Sequence, residues 1–283
     1  MRFDREARTI SGGRSLYLYR FHDEEDQHKK QERAWGSVAS GWNEEAQFVE
    51  TWLHNATKLL LEPMATGSGD LLDLGCGARS MTIPSNWRQI GLDLSHQMIA
   101  RRRNSIRGSF DELPFKSHSF GAVISRLGLM FAPDPELAIR ESLRVLKPEG
   151  VLAFAVWGDP QRNLWSTRVS ELLCNENGLE PALPTEPSAF RLSRRPEVEI
   201  MLQKTGFLET RVAAVEIELL NQLSPEEIFD RLNHLAGPIH LLYERVPEER
   251  KPAVREQILS VLAASDRSGS IDVWCAVKPK SQS

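Results

Sequence analysis

The chain has 283 residues, of which 41% are hydrophobic and 26% are charged, enough for the core of one large domain with an added cap. Its net charge of -4 and pI near 6.0 argue against a nucleic-acid or anionic-membrane partner, and no run of about 18 apolar residues predicts a membrane-spanning helix. The 3 scattered cysteines form neither a disulfide framework nor a metal knuckle, and the first residues lack a signal peptide's apolar core, which predicts a cytoplasmic protein without a metal site.

The first part of the chain is predicted to be a helical cap over residues 31–66. Apolar residues such as Trp35, Val38 and Trp42 recur here at spacings of three to four residues and of several turns, which is typical of amphipathic helices. Residues 1–30 precede the cap as an extension of mixed character, in which we interpret the charge-dense run around His28 as solvated.

Strands and helices alternate beyond the cap. Short apolar runs are separated by helical segments at residues 96–103 and 133–146, and Ser95 is placed to cap the first of these helices. The predicted strands cover residues 70–74, 90–94, 121–125 and 151–157, the last of them a continuous apolar run. This alternation predicts an α/β fold with a doubly wound, mostly parallel sheet.

The second half of the chain changes character after Trp157. A helix and a Pro-rich connection precede a helix at residues 196–205 and a strand at residues 207–219, and Ser224 opens a largely helical stretch to residue 263. A final strand is predicted at residues 271–277. The predicted domains are an extension (1–30), a helical cap (31–66), a core (67–222, with a connecting segment at 159–195), a helical lid (223–264) and a last strand with the tail (265–283).

A turn with two glycines follows the first core strand. Gly75 and Gly77 would let the backbone lie directly against a ligand, and the backbone N–H groups after them would be free to donate. The second strand ends at Asp93, where a carboxylate could accept hydrogen bonds from both hydroxyls of a ribose. Because ligands of open α/β sheets bind beyond the carboxyl ends of the strands, these residues predict a nucleotide site.

The residues around the turn favour S-adenosylmethionine (SAM) over a dinucleotide. A Gly-x-Gly pair alone also occurs in ordinary tight turns. Asp73, however, precedes the first glycine by two residues, where a carboxylate would repel a pyrophosphate and attract the ammonium and sulfonium of SAM. Ser80 also stands where the dinucleotide fingerprint has its third glycine.

Several motifs in one order carry a family resemblance. In chain order they include Gln31-Glu32-Arg33-Ala34-Trp35, Leu72-Asp73-Leu74-Gly75-Cys76-Gly77, Gly91-Leu92-Asp93-Leu94-Ser95, Glu112-Leu113-Pro114-Phe115, Ser125-Arg126-Leu127-Gly128 and Arg144-Val145-Leu146-Lys147-Pro148. From about residue 31 to 278 the chain resembles the class I SAM-dependent methyltransferases of the type-11 class, related to those of ubiquinone and menaquinone biosynthesis. The resemblance implies a Rossmann-like, seven-stranded sheet, SAM as cofactor with S-adenosylhomocysteine (SAH) as product, and methylation of a small organic metabolite on O, N or C.

The same resemblance implies which residues would bind SAM. Residues of the glycine turn would contact its methionine end, Asp93 its ribose, Ser109 and Phe110 its adenine, and Arg126 would lie near its methyl group. Arg79, at a position that is usually small, could grip the carboxylate of SAM. The complete candidate set is Trp42, Asp73, Gly75, Cys76, Gly77, Arg79, Asp93, Leu94, Met98, Ser109, Phe110, Ser125 and Arg126.

The catalytic residues are harder to predict than the cofactor residues. Methyl transfer from a sulfonium requires that the reacting atoms be aligned and water be excluded, and it does not require a nucleophilic residue of the protein. Candidate general bases are His234 and His240 of the lid, each of which could instead be a surface or capping histidine. Trp157, Trp165 and Phe190 are expected either to face the acceptor or to pack in the core.

Departures from the family pattern keep two alternatives open. One alternative is a degenerate fold that binds a ligand or partner without methylating; it is motivated by Arg79, by Ser109 in place of an acidic residue, by Gly121 in place of an aspartate and by a shortened helix before Pro84. RNA methylation is the other alternative. The basic cluster at residues 101–103 with Arg107 would serve it, but we interpret that cluster as solvated surface and expect a small-molecule partner. The oligomeric state stays open, and a homo-oligomer is one alternative.

Overall fold

A computed structural model describes residues 26–79, 81–180, 182 and 186–280. The predicted extension at residues 1–30 therefore lies outside the described residues except for its last part. Within the described ranges no helix combines the length and the apolar character that crossing a bilayer requires.

Four short helices form the N-terminal part of the described chain. They are α1 (Gln27–Ser37), α2 (Ala39–Glu44), α3 (Ala46–Trp52) and α4 (His54–Leu61). The apolar spacing that predicted helix here continues across the break between α3 and α4, because Val49, Leu53, Ala56, Leu60 and Met64 form one buried stripe against the sheet.

A seven-stranded sheet lies at the centre of the molecule, in the order β3-β2-β1-β4-β5-β7-β6. Neighbours among the first five strands run parallel, and β7 runs antiparallel to both β5 and β6. The strands are β1 (Gly69–Leu74), β2 (Trp87–Asp93), β3 (Ser105–Arg107), β4 (Phe120–Arg126), β5 (Leu146–Trp157), β6 (Leu208–Ile217) and β7 (Gly269–Val277). The predicted doubly wound, mostly parallel sheet is confirmed.

The segment between β1 and β4 differs from the sequence prediction. The predicted helix at residues 96–103 is only α5 (His96–Ile99), although Ser95 caps it as expected, accepting from Met98 N at 3.3 Å. The chain then turns sharply, with Asn104 at a φ of 57°, and the short segment that follows forms the three-residue strand β3. The described residues between β1 and β2 contain no helix, where a shortened one was expected.

Six α-helices follow β4 among the described residues. They are α6 (Pro135–Val145), α7 (Leu164–Glu176), α8 (Arg195–Thr205), α9 (Pro225–Leu235), α10 (Gly237–Glu244) and α11 (Lys251–Ala264). The predicted cap of α9 is present, since Ser224 Oγ accepts from Glu227 N and the Glu227 side chain accepts from Ser224 N. The long helical stretch expected here is broken after Leu235, where Gly237 and Pro238 begin α10.

The N-terminal helices and the lid helices α9 and α10 meet above the carboxyl ends of the strands. Two glycines allow this close approach: a Cβ on Gly41 of α2 would overlap the carbonyl oxygen of His234, and one on Gly237 would overlap that of Ala34. Trp42 Nε1 donates to Leu235 O at 2.9 Å across the same junction. The two groups of helices therefore form one roof over the sheet.

Candidate functional site

Beneath this roof lies a cavity of about 790 Å³. We call one part the loop half; it is bordered by Asp73, Gly75, Cys76, Gly77, Arg79, Asp93, Leu94, Met98, Ser109 and Phe110. The aromatic half is bordered by Phe48, Trp52, Trp157, Trp165 and Phe190, with apolar residues of α9 and α10. The two halves are continuous, so a ligand in one can touch a ligand in the other.

The glycine turn after β1 forms the floor of the loop half. Gly75 and Gly77 have φ values of 68° and 60°, in the left-handed region that favours glycine. A Cβ on Gly75 would lie 3.1 Å from Gly128 Cα and 3.2 Å from Phe110 Cζ, so the turn is closely packed there. The N–H groups of Gly75 and Cys76 donate to Leu92 O at 2.8 and 3.1 Å, which ties the turn to the end of β2.

Asp73 is buried in the floor of the loop half with only 2% of its surface exposed. Gln89 Nε2 donates to its Oδ2 at 2.8 Å, and Arg102 Nη2 lies 3.7 Å from the same oxygen. Burial raises the pKa of Asp73 to about 6, although the Arg102 and Arg126 guanidinium groups and the Gln89 hydrogen bond oppose the shift. A cationic ligand would favour the ionised carboxylate.

Asp93 ends β2 and connects it to the glycine turn. Its Oδ2 accepts from Gly77 N and its Oδ1 from Ser95 N, both at 2.9 Å. Burial raises the pKa of this carboxyl, and the backbone hydrogen bonds oppose that shift. Each carboxylate oxygen can accept more than one hydrogen bond, so Asp93 retains capacity for hydroxyl donors in the cavity.

Arg102 lies beneath the glycine turn, which corrects the interpretation of residues 101–103 as solvated surface. Its side chain is only 4% exposed, and Nη1 donates to the carbonyl oxygens of Cys76, Gly77 and Arg79. A Cβ on Gly91 would lie 3.1 Å from Nη2, so the missing side chain at Gly91 leaves space for the guanidinium. Arg101 and Arg103 are exposed as expected.

Charges beside the loop half sum to favour a cation. Asp73 and Asp93 carry two negative charges when ionised, and the Arg102 guanidinium compensates one of them from beneath the turn. Arg79 also borders this half but is exposed, so water screens its charge, whereas the two carboxylates are buried, where Coulomb interactions are stronger than in water.

His28 lies at the far end of the loop half and is only partly solvated, with 35% of its side chain exposed, whereas full solvation was expected. Its Nε2 lies 2.9 Å from Ser109 Oγ and 3.0 Å from Asp111 Oδ2, and it borders the cavity from α1. The family's acidic position reads Ser109 here, while a carboxylate follows two residues later at Asp111. No sequence signal connects residues so far apart in the chain.

The structure brings most of the predicted cofactor residues together. Those that border the cavity are Trp42, Asp73, Gly75, Cys76, Gly77, Arg79, Asp93, Leu94, Met98, Ser109, Phe110 and Arg126. Their contact with a cofactor stays a prediction. Ser125 does not border the cavity: it is fully buried, donates to Leu74 O at 2.8 Å and accepts from Leu129 N at 3.1 Å, which joins β4 to β1.

Neither candidate general base borders the cavity. The α9 helix turns Leu232 and Leu235 toward it, so His234 on another face is exposed to solvent. His240 is half-buried in α10, and its Nδ1 lies 3.3 Å from Asn233 Oδ1. The structure therefore places both imidazoles away from the position that a base would need.

Three tryptophans form the wall of the aromatic half. The ring centroids of Trp52, Trp157 and Trp165 are 5.4 to 5.7 Å apart in tilted and edge-on arrangements. Trp157 and Trp165 are buried and also border the cavity, so the two alternatives considered for them, core packing and acceptor contact, are compatible. Trp52 of α3, whose place in the site was not predicted from the sequence, completes this wall.

Known proteins resemble this chain over the same core. Residues 72–154 match the family model described as a methyltransferase domain. A malonyl-[acyl-carrier protein] O-methyltransferase from Enterobacter lignolyticus is 32% identical over 119 residues, which cover 38% of this chain and 47% of that protein. A demethylmenaquinone methyltransferase from Paenarthrobacter aurescens is 30% identical over 146 residues, covering 48% and 54%. The chain thus spans about half the length of these curated relatives.

A solved structure shares the fold. The YcgJ protein from Bacillus subtilis superposes with a TM-score of 0.51 at 16% sequence identity, covering 80% of this chain and 99% of that one. At this identity the likeness supports the fold of the chain and nothing further.

Proposed function

We propose that this chain, whose residues 72–154 match the methyltransferase-domain model, is a class I SAM-dependent methyltransferase that methylates O, N or C of a small organic molecule held in the aromatic half of its cavity. The observation that carries the proposal is the continuity of the two halves: a cation-favouring crevice opens directly into an apolar, aromatic chamber. A methyl donor and an acceptor would meet at their junction.

The residues of the loop half fit SAM. Gly75 and Gly77 let the backbone approach a ligand, Asp73 provides a buried carboxylate for its cationic groups, and Asp93 has acceptor capacity for its ribose. Phe110, beside Gly75, offers an aromatic face for the adenine. When bound, SAM supplies a methyl group on an already activated sulfonium.

The protein itself would align the acceptor with the methyl group and exclude water from the site. The helical roof of α1, α2, α9 and α10 shields the junction from water, and the tryptophan wall offers planar apolar surface to an acceptor. This supports the predicted division into a cap (31–66), a core (67–222) and a lid (223–264), flanked by residues 1–30 and 265–283, as a working description.

The relatives' names bear on the acceptor. One is a demethylmenaquinone methyltransferase, and the tryptophan wall suits such a quinone-like ring. Others are malonyl-[acyl-carrier protein] O-methyltransferases. We favour a free small molecule in the cytoplasm, quinone-like or a secondary metabolite, and no nucleic-acid partner. The described helices contain no candidate for membrane insertion.

Two measurements test the proposal. Calorimetric titration with SAH is expected to show micromolar binding that Asp93→Asn weakens by about tenfold or more, because one carboxylate in the site loses its charge. Incubation with methyl-labelled SAM and a small-molecule extract is expected to label an apolar product. If SAH does not bind, the proposal is wrong; if SAH binds and no extract is labelled, the degenerate fold suggested by Arg79 and Ser109 is the better description.

A further inference from the structure

We propose that the acceptor presents an anionic oxygen, as a phenolate, an enolate or a carboxylate, and that the guanidinium of Arg126 binds this oxygen where the two halves of the cavity meet. The inference rests on the proposed methyl transfer and adds two things to it: the charge of the acceptor and the side chain that recognises that charge.

Arg126 is the last residue of β4 and lies at the junction of the two halves. Two residues further on, Gly128 packs against the glycine turn, since a Cβ on Gly75 would lie 3.1 Å from Gly128 Cα. The Arg126 side chain reaches toward the N-terminal helices: Nη1 donates to Thr57 Oγ1 at 2.9 Å and Nη2 to Glu50 Oε1 at 2.7 Å. Glu50 belongs to α3, which also supplies part of the aromatic half.

The Arg126 guanidinium has donors that no described residue uses. Arginine offers five N–H groups in a planar fork and remains charged, while Thr57 and Glu50 are the only described acceptors here. The Arg126 side chain borders the cavity and is 10% exposed, whereas that of Glu50 is 46% exposed. Because water screens the Glu50 side of the pair, an oxygen inside the cavity can share the guanidinium and bind in the drier environment.

The surroundings of Arg126 explain why an anion, rather than a neutral acceptor, fits the chemistry. Among the described residues that border the cavity, His28 is the only histidine, and it lies at the far end of the loop half beside Ser109 and Asp111. No described histidine is therefore placed to take a proton from an acceptor in the aromatic half; the carboxylates of Glu50 and Glu171 border the cavity too, but both are exposed and Glu50 is paired with Arg126. An acceptor that has lost its proton to water before entering needs no such base, but its charge needs a partner in an apolar chamber.

The resulting transfer balances without a proton. The acceptor oxygen forms a bond to the methyl carbon as the carbon–sulfur bond breaks, and the electron pair of that bond stays on sulfur. One negative and one positive charge cancel, leaving SAH and a neutral methyl ether or ester. Arg126 would orient the oxygen for this step and lose its anionic partner when the product forms, which favours release of the product.

A matched pair of probes tests the charge preference directly. We would titrate 2-naphthoate and its neutral isostere 2-naphthamide into the SAH-saturated protein and measure both dissociation constants by calorimetry. The expected result is at least about tenfold tighter binding of the naphthoate, the ratio that a charge-assisted hydrogen bond provides. Equal affinities, or no binding of either probe at millimolar concentration, would overturn the proposal.

Variants assign the preference to Arg126. Arg126→Met is expected to reduce the naphthoate preference to within about threefold while naphthamide affinity is retained, and Arg126→Lys is expected to keep part of the preference because it keeps the charge. Arg231→Met is the matched comparison: Arg231 also borders the aromatic half, but its guanidinium stacks 4.1 Å from the Phe48 ring centroid and pairs with Glu45. Loss of the preference in Arg231→Met but not in Arg126→Met would contradict the assignment.

A carboxylate on SAM itself is the other source of an anion near Arg126. SAH carries that carboxylate, so its own titration distinguishes the two sources and also checks the proposed function separately. The proposal expects SAH affinity in Arg126→Met to stay within about threefold of the wild-type value. If SAH affinity falls by more than tenfold while the probe preference persists, Arg126 binds the cofactor and the acceptor inference is wrong, although the methyltransferase proposal stands.

Discussion

Arg102 supports the glycine turn from below, at a position where the described residues after β1 form no helix to hold it. Its Nη1 group donates hydrogen bonds to the carbonyl oxygens of Cys76, Gly77 and Arg79, and Nη2 faces the buried Asp73. The guanidinium thus takes over part of the role that a longer helix would have in fixing the turn.

Removing this cation is expected to weaken both the fold and the cofactor site. Arg102→Gln would leave Asp73 without its closest positive partner, and breaking a buried pair in this way costs about 3–5 kcal/mol. SAH affinity should fall by about tenfold or more, as measured by calorimetry on protein shown to be folded by chemical denaturation. Arg103→Gln, on an exposed neighbour, is the control, and similar values for the two variants would contradict this role.

Asp73 should make cofactor binding depend on pH. Burial raises its pKa to about 6, so the carboxyl loses its proton, and gains attraction for a cationic ligand, as the pH rises through that value. SAM affinity is therefore expected to increase between pH 5 and 7.5, with a smaller share from Asp93, whose pKa burial also raises. Asp73→Asn should lower the affinity at pH 7.5 and flatten the dependence.

Asp70→Asn is the matched control for this titration. Asp70 lies near the start of the same strand, and its hydrogen bonds to the Arg88 side chain lower the pKa of its carboxyl. It is therefore ionised across the whole range, and its removal should leave the pH profile of SAM binding unchanged. A profile that Asp73→Asn leaves intact would show that another group titrates.

At the scale of elements, the sequence predicts the strands better than the helices around them. β1, β2, β4 and β5 each have a local apolar run with turn residues at the end, which one stretch of chain displays by itself. The helices α3 and α4 look continuous in sequence because one buried stripe crosses the break between them. The roof depends on contacts between α2 and α9, which are far apart in the chain, so no local sequence pattern predicts it.

Substitutions at two glycines in helices distinguish the effect of packing on stability from the effect of helix propensity. Alanine normally stabilises a helix relative to glycine by about 0.5–1 kcal/mol. Gly36→Ala in α1 should follow this rule, because the new Cβ would meet only the flexible end of the Gln97 side chain at 3.1 Å. Gly41→Ala in α2 should do the opposite and cost about 1–3 kcal/mol, because its Cβ would overlap the backbone of α9 at His234.

Chemical denaturation of the two variants beside the wild type measures these opposite signs. Gly41→Ala should also increase proteolysis of the connection between α9 and α10, because the substitution would separate α2 from α9 and expose that connection. If both substitutions stabilise the protein, then α2 does not pack on α9 in solution as closely as the structure shows.

For the whole molecule, sequence reasoning succeeded where residues that act together are also close in the chain. The glycine turn with Asp73 and Asp93 belongs to two consecutive strands, and their order alone predicts the crevice. It missed His28, Arg102 and the role of Trp52, because each works through a partner brought near by the fold. It placed His234 and His240 by residue type alone, and the helix faces direct them away from the cavity.

The roof joins α1 and α2 to the lid helices α9 and α10 over one cavity, so a ligand in the loop half should protect both groups of helices together. Saturation with SAH at about 100 times its dissociation constant stabilises the folded state by about 2.7 kcal/mol. Hydrogen exchange should then slow in α1 and α2 and also in α9 and α10. Of these helices, α2 carries the predicted cofactor residue Trp42 and α1 carries His28, which contacts the predicted cofactor residue Ser109, whereas α9 and α10 carry none.

His28→Ala removes the bonds that hold α1 to Ser109 and Asp111, and it should abolish the protection of α1 while the glycine turn remains protected. His54→Ala, on an exposed histidine of α4, should change neither. If bound SAH protects only the glycine turn of the wild-type protein, the prediction is wrong. Helices that pack together over the bound ligand should be protected with it, so that result would mean that the cap and the lid open independently of the cofactor.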